Sequence, residues 1–209
     1  LHLSIRRQRQ MCIRDSLIGS FCNKHPAIDV SLEILNRDGV VHRLRENLDD
    51  LYIMSMPPKD MDLGDEAFMP NPIVLIAANS DPLVKRSQVP LHELAQRRFI
   101  VREKGSGTRM AADQFFRKMK FRPDVRLELG SNEAVKESVA GGLGVGVVSR
   151  HALHGLKKEN GVSVIDIEGF PVSSAWHIVH PASKKLSPLA MAFKKHMIQE
   201  VGRRKWPQP

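Results

Sequence analysis

The clearest chemistry in this chain lies in one stretch, Arg98-Phe-Ile-Val-Arg-Glu-Lys-Gly-Ser-Gly-Thr-Arg109. An apolar strand runs into a turn rich in glycine and hydroxyls, and the turn opens a helical pattern. Gly105 and Gly107 permit close backbone approach. Ser106 and Thr108 carry hydroxyl donors. Lys104 and Arg109 supply positive charge, with Arg102 flanking them. The helix dipole adds to the attraction for an anion. This is chemistry for holding a small anion. The same pattern also fits an ordinary strand-to-helix turn with a Thr cap, because short glycine motifs are frequent.

Two other places offer related groups. Asn36, Arg37 and Asp38 follow an alternating strand, and ligands in open α/β sheets sit beyond such strand ends. Arg37 suits a carboxylate or phosphate; Asp38 reads equally as the N-cap of the next helix. Gly130-Ser131-Asn132 is a further helix start, with simple N-capping as its plain alternative. No serine sits in a nucleophile elbow, and no cysteine lies beside a base. Gly142-Leu-Gly-Val-Gly146 resembles part of a dinucleotide fingerprint but opens no helix, so it reads as packing. No catalytic residue, metal site or cofactor is expected. His177 and His180 alternate in a strand and read as structural or solvent-facing.

The elements that position these residues follow from periodicity. Leu17 to Lys24 reads as the end of a helix, stopped by His25-Pro26. Ile28 to Leu35 alternates as a strand, a helix carries Val41, Leu44 and Leu48, and Asp50 to Met56 is a short strand. Strands follow at Ile73 to Ala78, Phe99 to Val101, Val125 to Leu129, Leu143 to Val148, Val162 to Ile167 and Ala175 to Val179. Short helices are expected at Val89 to Leu94 and His151 to Leu156. Ala112, Phe115, Phe116 and Met119 mark one longer helix at i, i+3, i+4, i+7 spacing. Glu133 to Ala140 makes another, ending at Gly141-Gly142. Ser187-Pro188 opens the last, with Leu189, Phe193 and Met197 on one face. The alternation predicts two doubly wound parallel sheets, with crossings near residues 70–73 and 171–175.

A chain of 209 residues with two cysteines at no metal-ligand spacing has the length for a large core without disulfides. The net charge of +9 is dispersed, which suggests anionic partners only weakly. No apolar run of about 18 residues is present, so no membrane partner is expected and a cytoplasmic location follows. The first sixteen residues stand apart, with no apolar face and no alternation over 5–16. Met11-Cys-Ile-Arg-Asp-Ser16 resembles a translated transposon mosaic end. On that reading 1–16 is a non-native segment, Leu1 to Ser4 a strand remnant, and the native chain resumes near Leu17.

The order of elements resembles the effector-binding domain of LysR-type transcriptional regulators. The landmarks are Phe21-Cys-Asn-Lys-His-Pro26, Asn79-Ser-Asp-Pro-Leu83, Arg102-Glu-Lys-Gly-Ser-Gly-Thr-Arg109, Gly141-Gly-Leu-Gly-Val-Gly-Val-Val148 and Lys185-Leu-Ser-Pro188. Within the family, the stretch Glu103 to Arg109 looks most like regulators of carbon-fixation genes. The resemblance implies an α/β fold of two Rossmann-like lobes, type 2 periplasmic-binding-protein-like, around an effector cleft. Lobe I would hold 17–72 and 174–209, and lobe II 73–173. It places Ser55 and the residues named above toward a small anionic metabolite. It implies a homodimer or homotetramer using helical faces around Leu17 to Phe21 and Glu133 to Val139. DNA binding would belong to an N-terminal winged helix-turn-helix that this chain lacks. The alternative is a solute-binding component of a transporter with the same fold, and a third reading is an enzyme built on it.

Overall fold

Strands form where apolar residues run with period two or continuously, and helices where they recur every three or four. In the computed structural model the described residues are 2–6, 11–153 and 161–203, with side chains described from Leu17 onward. The chain divides into two units, Leu1–Pro70 with Ala175–Gln208, and Asn71–Ser174.

The first unit is a five-stranded sheet. Its strands are β1 (His2–Arg6), β2 (Ser31–Leu35), β3 (Leu51–Met54), β4 (Leu63–Pro70) and β10 (Ala175–Pro181), in the order β2-β1-β3-β10-β4. One face carries Leu51, Ile53, Trp176 and Ile178. It is covered by Leu17 and Phe21 of α1 (Met11–Lys24) and by Phe193 and Met197 of α5 (Pro188–Arg203). The other face carries Tyr52, Met54 and Val179 against Val40, Val41 and Leu44 of α2 (Arg37–Arg45). Strand alternation produces this division between faces.

The second unit has strands β5 (Ile73–Ala78), β6 (Arg98–Arg102), β7 (Asp124–Leu129), β8 (Val145–Ser149) and β9 (Val162–Ile165), ordered β7-β6-β8-β5-β9. Leu75, Phe99, Val101 and Val147 pack on Ala112 and Phe116 of α3 (Gly107–Lys118). Val74, Ile76 and Ile100 pack on Val135 and Val139 of α4 (Asn132–Ala140). Gly146 allows α4 to lie on β8: a Cβ there would come within 2.7 Å of Val139 Cγ2.

Several expectations are corrected. Both sheets are mixed rather than parallel, since β10 runs antiparallel to β3 and β4, and β5 antiparallel to β8 and β9. Strands reached through a crossing between units are not bound by the helical crossover that enforces parallel pairing. The edge strand β4 has no counterpart in the sequence reading, because it buries only Met69 and shows no alternation. His2–Arg6 pairs in parallel with both β2 and β3, and α1 begins at Met11. In the stretches Leu17 to Phe21 and Glu133 to Val139, the side chains of Leu17, Phe21, Val135 and Val139 are fully buried within their own units. Of the short helix expected at His151 to Leu156, a 3-10 turn covers Arg150–Leu153; residues 154–156 lie outside the described residues.

Tyr52 is the sole tyrosine of the sequence and is fully buried. Its hydroxyl donates to Arg43 O at 3.0 Å and accepts from Asp49 N at 2.9 Å. Burial pushes its pKa upward, against the pull of the Asp49 N–H. A raised folded pKa means that stability holds below the unfolded value of about 10 and falls as pH rises past it. Tyrosinate absorbance is expected to appear above that pH and together with unfolding. Titration at the ordinary value with the fold intact would contradict this.

Candidate functional site

Strands β6 and β7 are parallel neighbours, with Arg102 opposite Leu129 at their carboxyl ends. Each feeds a helix. After β6 the chain turns through Gly105, whose φ of +81° suits glycine, and Ser106 N donates to Glu103 O at 3.1 Å. Ser106 then caps α3, its hydroxyl 3.5 Å from Arg109 N. After β7, Ser131 caps α4 by accepting from Ala134 N at 3.1 Å. Two helix N-termini thus open at the same end of one sheet. The dipoles of two helices opening together favour negative charge at that end.

Arg102 ties the two together. Its side chain is fully buried. Nε donates to Leu129 O at 3.2 Å, Nη2 to Gly130 O at 3.0 Å and Nη1 to Asn132 Oδ1 at 3.3 Å. Both oxygens of Glu103 accept from the same guanidinium at 2.7 Å. Burial draws its pKa down, opposed by Glu103.

Arg109 is also engaged within the protein. Nε forks onto both oxygens of Asp113 at 3.0 and 2.9 Å, and Nη1 reaches Arg102 O and Glu128 Oε2, each at 3.0 Å. Glu128 accepts in addition from Lys104 N at 3.2 Å. That N–H, and then Arg109, hold the Glu128 carboxyl below its usual range. Both guanidiniums bind protein oxygens and brace the two turns. Lys104 is exposed, while Ser106, Gly107, Thr108 and Asn132 are buried where the helices begin.

The first unit has a comparable end. β1, β2 and β3 are parallel, and α2 opens directly after β2. Asn36, not Asp38, is its N-cap, with Oδ1 accepting from Gly39 N at 2.9 Å. Asp38 falls inside the first turn, where its charge complements the dipole. Arg37 Nε donates to Met56 O at 2.7 Å, and its Nη1 is 3.4 Å from Asp38. Ser55, directly before Met56, is 1% exposed and its Oγ has no hydrogen-bond partner among the described residues.

Sequence reasoning missed two buried donors without partners among the described residues, Trp176 Nε1 in the first unit and Asn71 Nδ2 in the second. Asn71 sits between two prolines at a crossing, which was a usable signal; nothing marked Trp176. His177 Nδ1 lies 2.6 Å from Asp65 Oδ1, and His180 Nδ1 lies 2.9 Å from Pro181 O. Among the described residues no His, Cys, Asp and Glu group could hold a metal, and no helix is long and apolar enough to cross a membrane.

Two α/β units, built by a chain that crosses between them twice, are the architecture of periplasmic-binding-protein-like small-molecule binders. In each unit a helix opens directly after a strand carboxyl end. The chain belongs to the LysR substrate binding domain family, which matches residues 15–202. It is 42% identical over 182 residues to the HTH-type transcriptional activator CmpR of Synechocystis sp., covering 87% of this chain and 60% of that protein. It is 41% identical over 181 residues to the RuBisCO operon transcriptional regulator of Acidithiobacillus ferrooxidans, covering 87% and 59%. The chain thus spans about 60% of the length of these relatives. The Synechocystis PCC6803 CcmR regulatory domain in complex with 2-PG superposes with a TM-score of 0.91 at 38% identity, covering 96% of each chain. The effector binding domain of QuiR in complex with shikimate has the same fold, with a TM-score of 0.84 at 18% identity over 97% of each chain. The likeness to carbon-fixation regulators therefore holds, and the relatives are regulators rather than transport proteins.

Proposed function

We propose that this chain is the sensing part of a transcription regulator. It binds a small anionic metabolite through helix N-termini at strand carboxyl ends. DNA binding and self-association belong to the whole regulator, since the chain spans about 60% of the length of its relatives. The observation that carries the reading is the paired opening of α3 and α4, held in register by buried Arg102. The 2-PG complex of a 38% identical domain supports the anionic character of the ligand. Lys104, Gly105, Ser106, Gly107, Thr108, Ser131 and Asn132 form the contact set in the second unit. Asn36, Arg37 and Ser55 form it in the first. Arg102 and Arg109 position these residues. The signal arises from differential affinity for two conformations, since a ligand that binds both equally shifts nothing. With regulators as relatives, no catalytic step is assigned.

Calorimetric titration tests this with 2-PG, sugar phosphates, phosphoenolpyruvate and nicotinamide nucleotides. Saturable, salt-weakened binding of at least one anion is expected, with 2-PG the first candidate. Thr108→Val keeps the side-chain shape and removes the hydroxyl, and is expected to weaken binding about tenfold. Absence of heat with every anion would overturn the reading.

A further inference from the structure

Two buried polar groups in the first unit do not have the partners that buried groups ordinarily have. Ser55 Oγ and Trp176 Nε1 are both without a hydrogen bond among the described residues, in side chains that are 1% and 2% exposed. A buried donor left unmade is costly, and native interiors pair nearly all of them. An acceptor from outside the chain would complete both groups.

The two groups lie at one end of one sheet. β10 runs antiparallel to β3 with His177 opposite Met54, so Trp176 and Ser55 each lie one position beyond that pair. Alternation continues the Leu51–Ile53 face to Ser55, and Trp176 belongs to that same face. This is also the end where β1, β2 and β3 finish and where α2 opens. An indole N–H only donates, and a serine hydroxyl can donate beside it. The missing partner is therefore an acceptor. An anionic oxygen is the stronger acceptor for two such donors.

We propose that Trp176 is a specificity-determining residue: its indole N–H and the Ser55 hydroxyl together hold one carboxylate or phosphoryl oxygen of the effector. This rests on the anion-sensing reading above and adds to it a donor pair on the first unit. Ligands that offer only apolar or donor groups to this end would be rejected, because the two donors would stay buried and unpaired.

Replacing Trp176 with 3-benzothienylalanine exchanges the N–H for sulfur at nearly constant shape; Trp176→Phe and Ser55→Ala accompany it. Titration with 2-PG is expected to show about tenfold weaker binding for each variant. The ligand-free thermal midpoint of the benzothienyl variant is expected to stay level or rise, because an unpaired donor has been removed. A purely structural tryptophan would instead lose stability and keep affinity. The assignment is overturned if the benzothienyl and Phe variants bind 2-PG as tightly as the parent while Thr108→Val still weakens it. That result would leave the anion-sensing reading intact. A parent protein that binds no 2-PG overturns both.

Discussion

Arg102→Leu is expected to destabilise the protein by about 3–5 kcal/mol, read as a shift in the denaturation midpoint at unchanged slope. The guanidinium is buried and serves Leu129 O, Gly130 O, Asn132 and Glu103 at once. Leucine fills much of the space but takes the guanidinium from Gly130 O, Asn132 Oδ1 and Glu103, and leaves Leu129 O only its bond from Glu103 N at 3.0 Å. Arg102→Lys is expected to fall nearly as far, because one ammonium cannot fork across acceptors on two turns. Arg98 is the control. It pairs with Asp124 at 3.0 Å with 59% of its side chain exposed, and Arg98→Ala is expected to cost under about 1 kcal/mol. The functional consequence is larger than the stability change. Without the Arg102 fork the starts of α3 and α4 lose their common anchor, and 2-PG binding is expected to be lost even in the folded fraction. An Arg102→Leu protein that melts like the parent and binds like it would refute the anchoring role.

Gly144→Ala is expected to be comparably damaging, by about 3–5 kcal/mol. Gly144 has φ of +152°, and a Cβ there would stand 2.2 Å from Arg98 O. That oxygen belongs to the backbone of β6, so relief requires moving the strand. Gly142→Ala is the comparison: its φ is +74°, and an added Cβ meets nothing within 4 Å. It is expected to cost only about 1–2 kcal/mol, the penalty of a left-handed residue. A nucleotide fingerprint would show the reverse pattern, with both variants folded and both impaired in nicotinamide nucleotide binding. Thermal or denaturant unfolding of the pair decides between packing and phosphate contact.

The legible part of the fold was the part written in period. Alternation at Leu32 and Ile34, the run Ile73 to Ala78 and the helical spacing of Ala112 and Phe116 each became the element they suggested. The turn at Gly105 and the cap at Ser131 were legible for the same reason, since local backbone chemistry sets them. Strand direction was not legible, because it depends on which strands meet after a crossing. The partners of Arg102 and Arg109 were hidden likewise: several of their acceptors are 19 to 30 residues away and become neighbours only once β6 pairs with β7. Asp38 was the expected cap, and the point at which the helix turns selected Asn36 instead.

The placement of β10 has a consequence for how the molecule is made. Within its sheet β4 pairs only with β10, which lies between it and β3. More than a hundred residues separate β4 from β10, and nearly all of them form the other unit. On a ribosome, Asn71–Ser174 emerges whole and can close its own sheet first. The strand that completes the unit begun earlier is among the last to emerge. Synthesis therefore finishes the second unit before the first, and a chain stopped before Ala175 leaves β4 as an unpaired edge, open to the wrong neighbour.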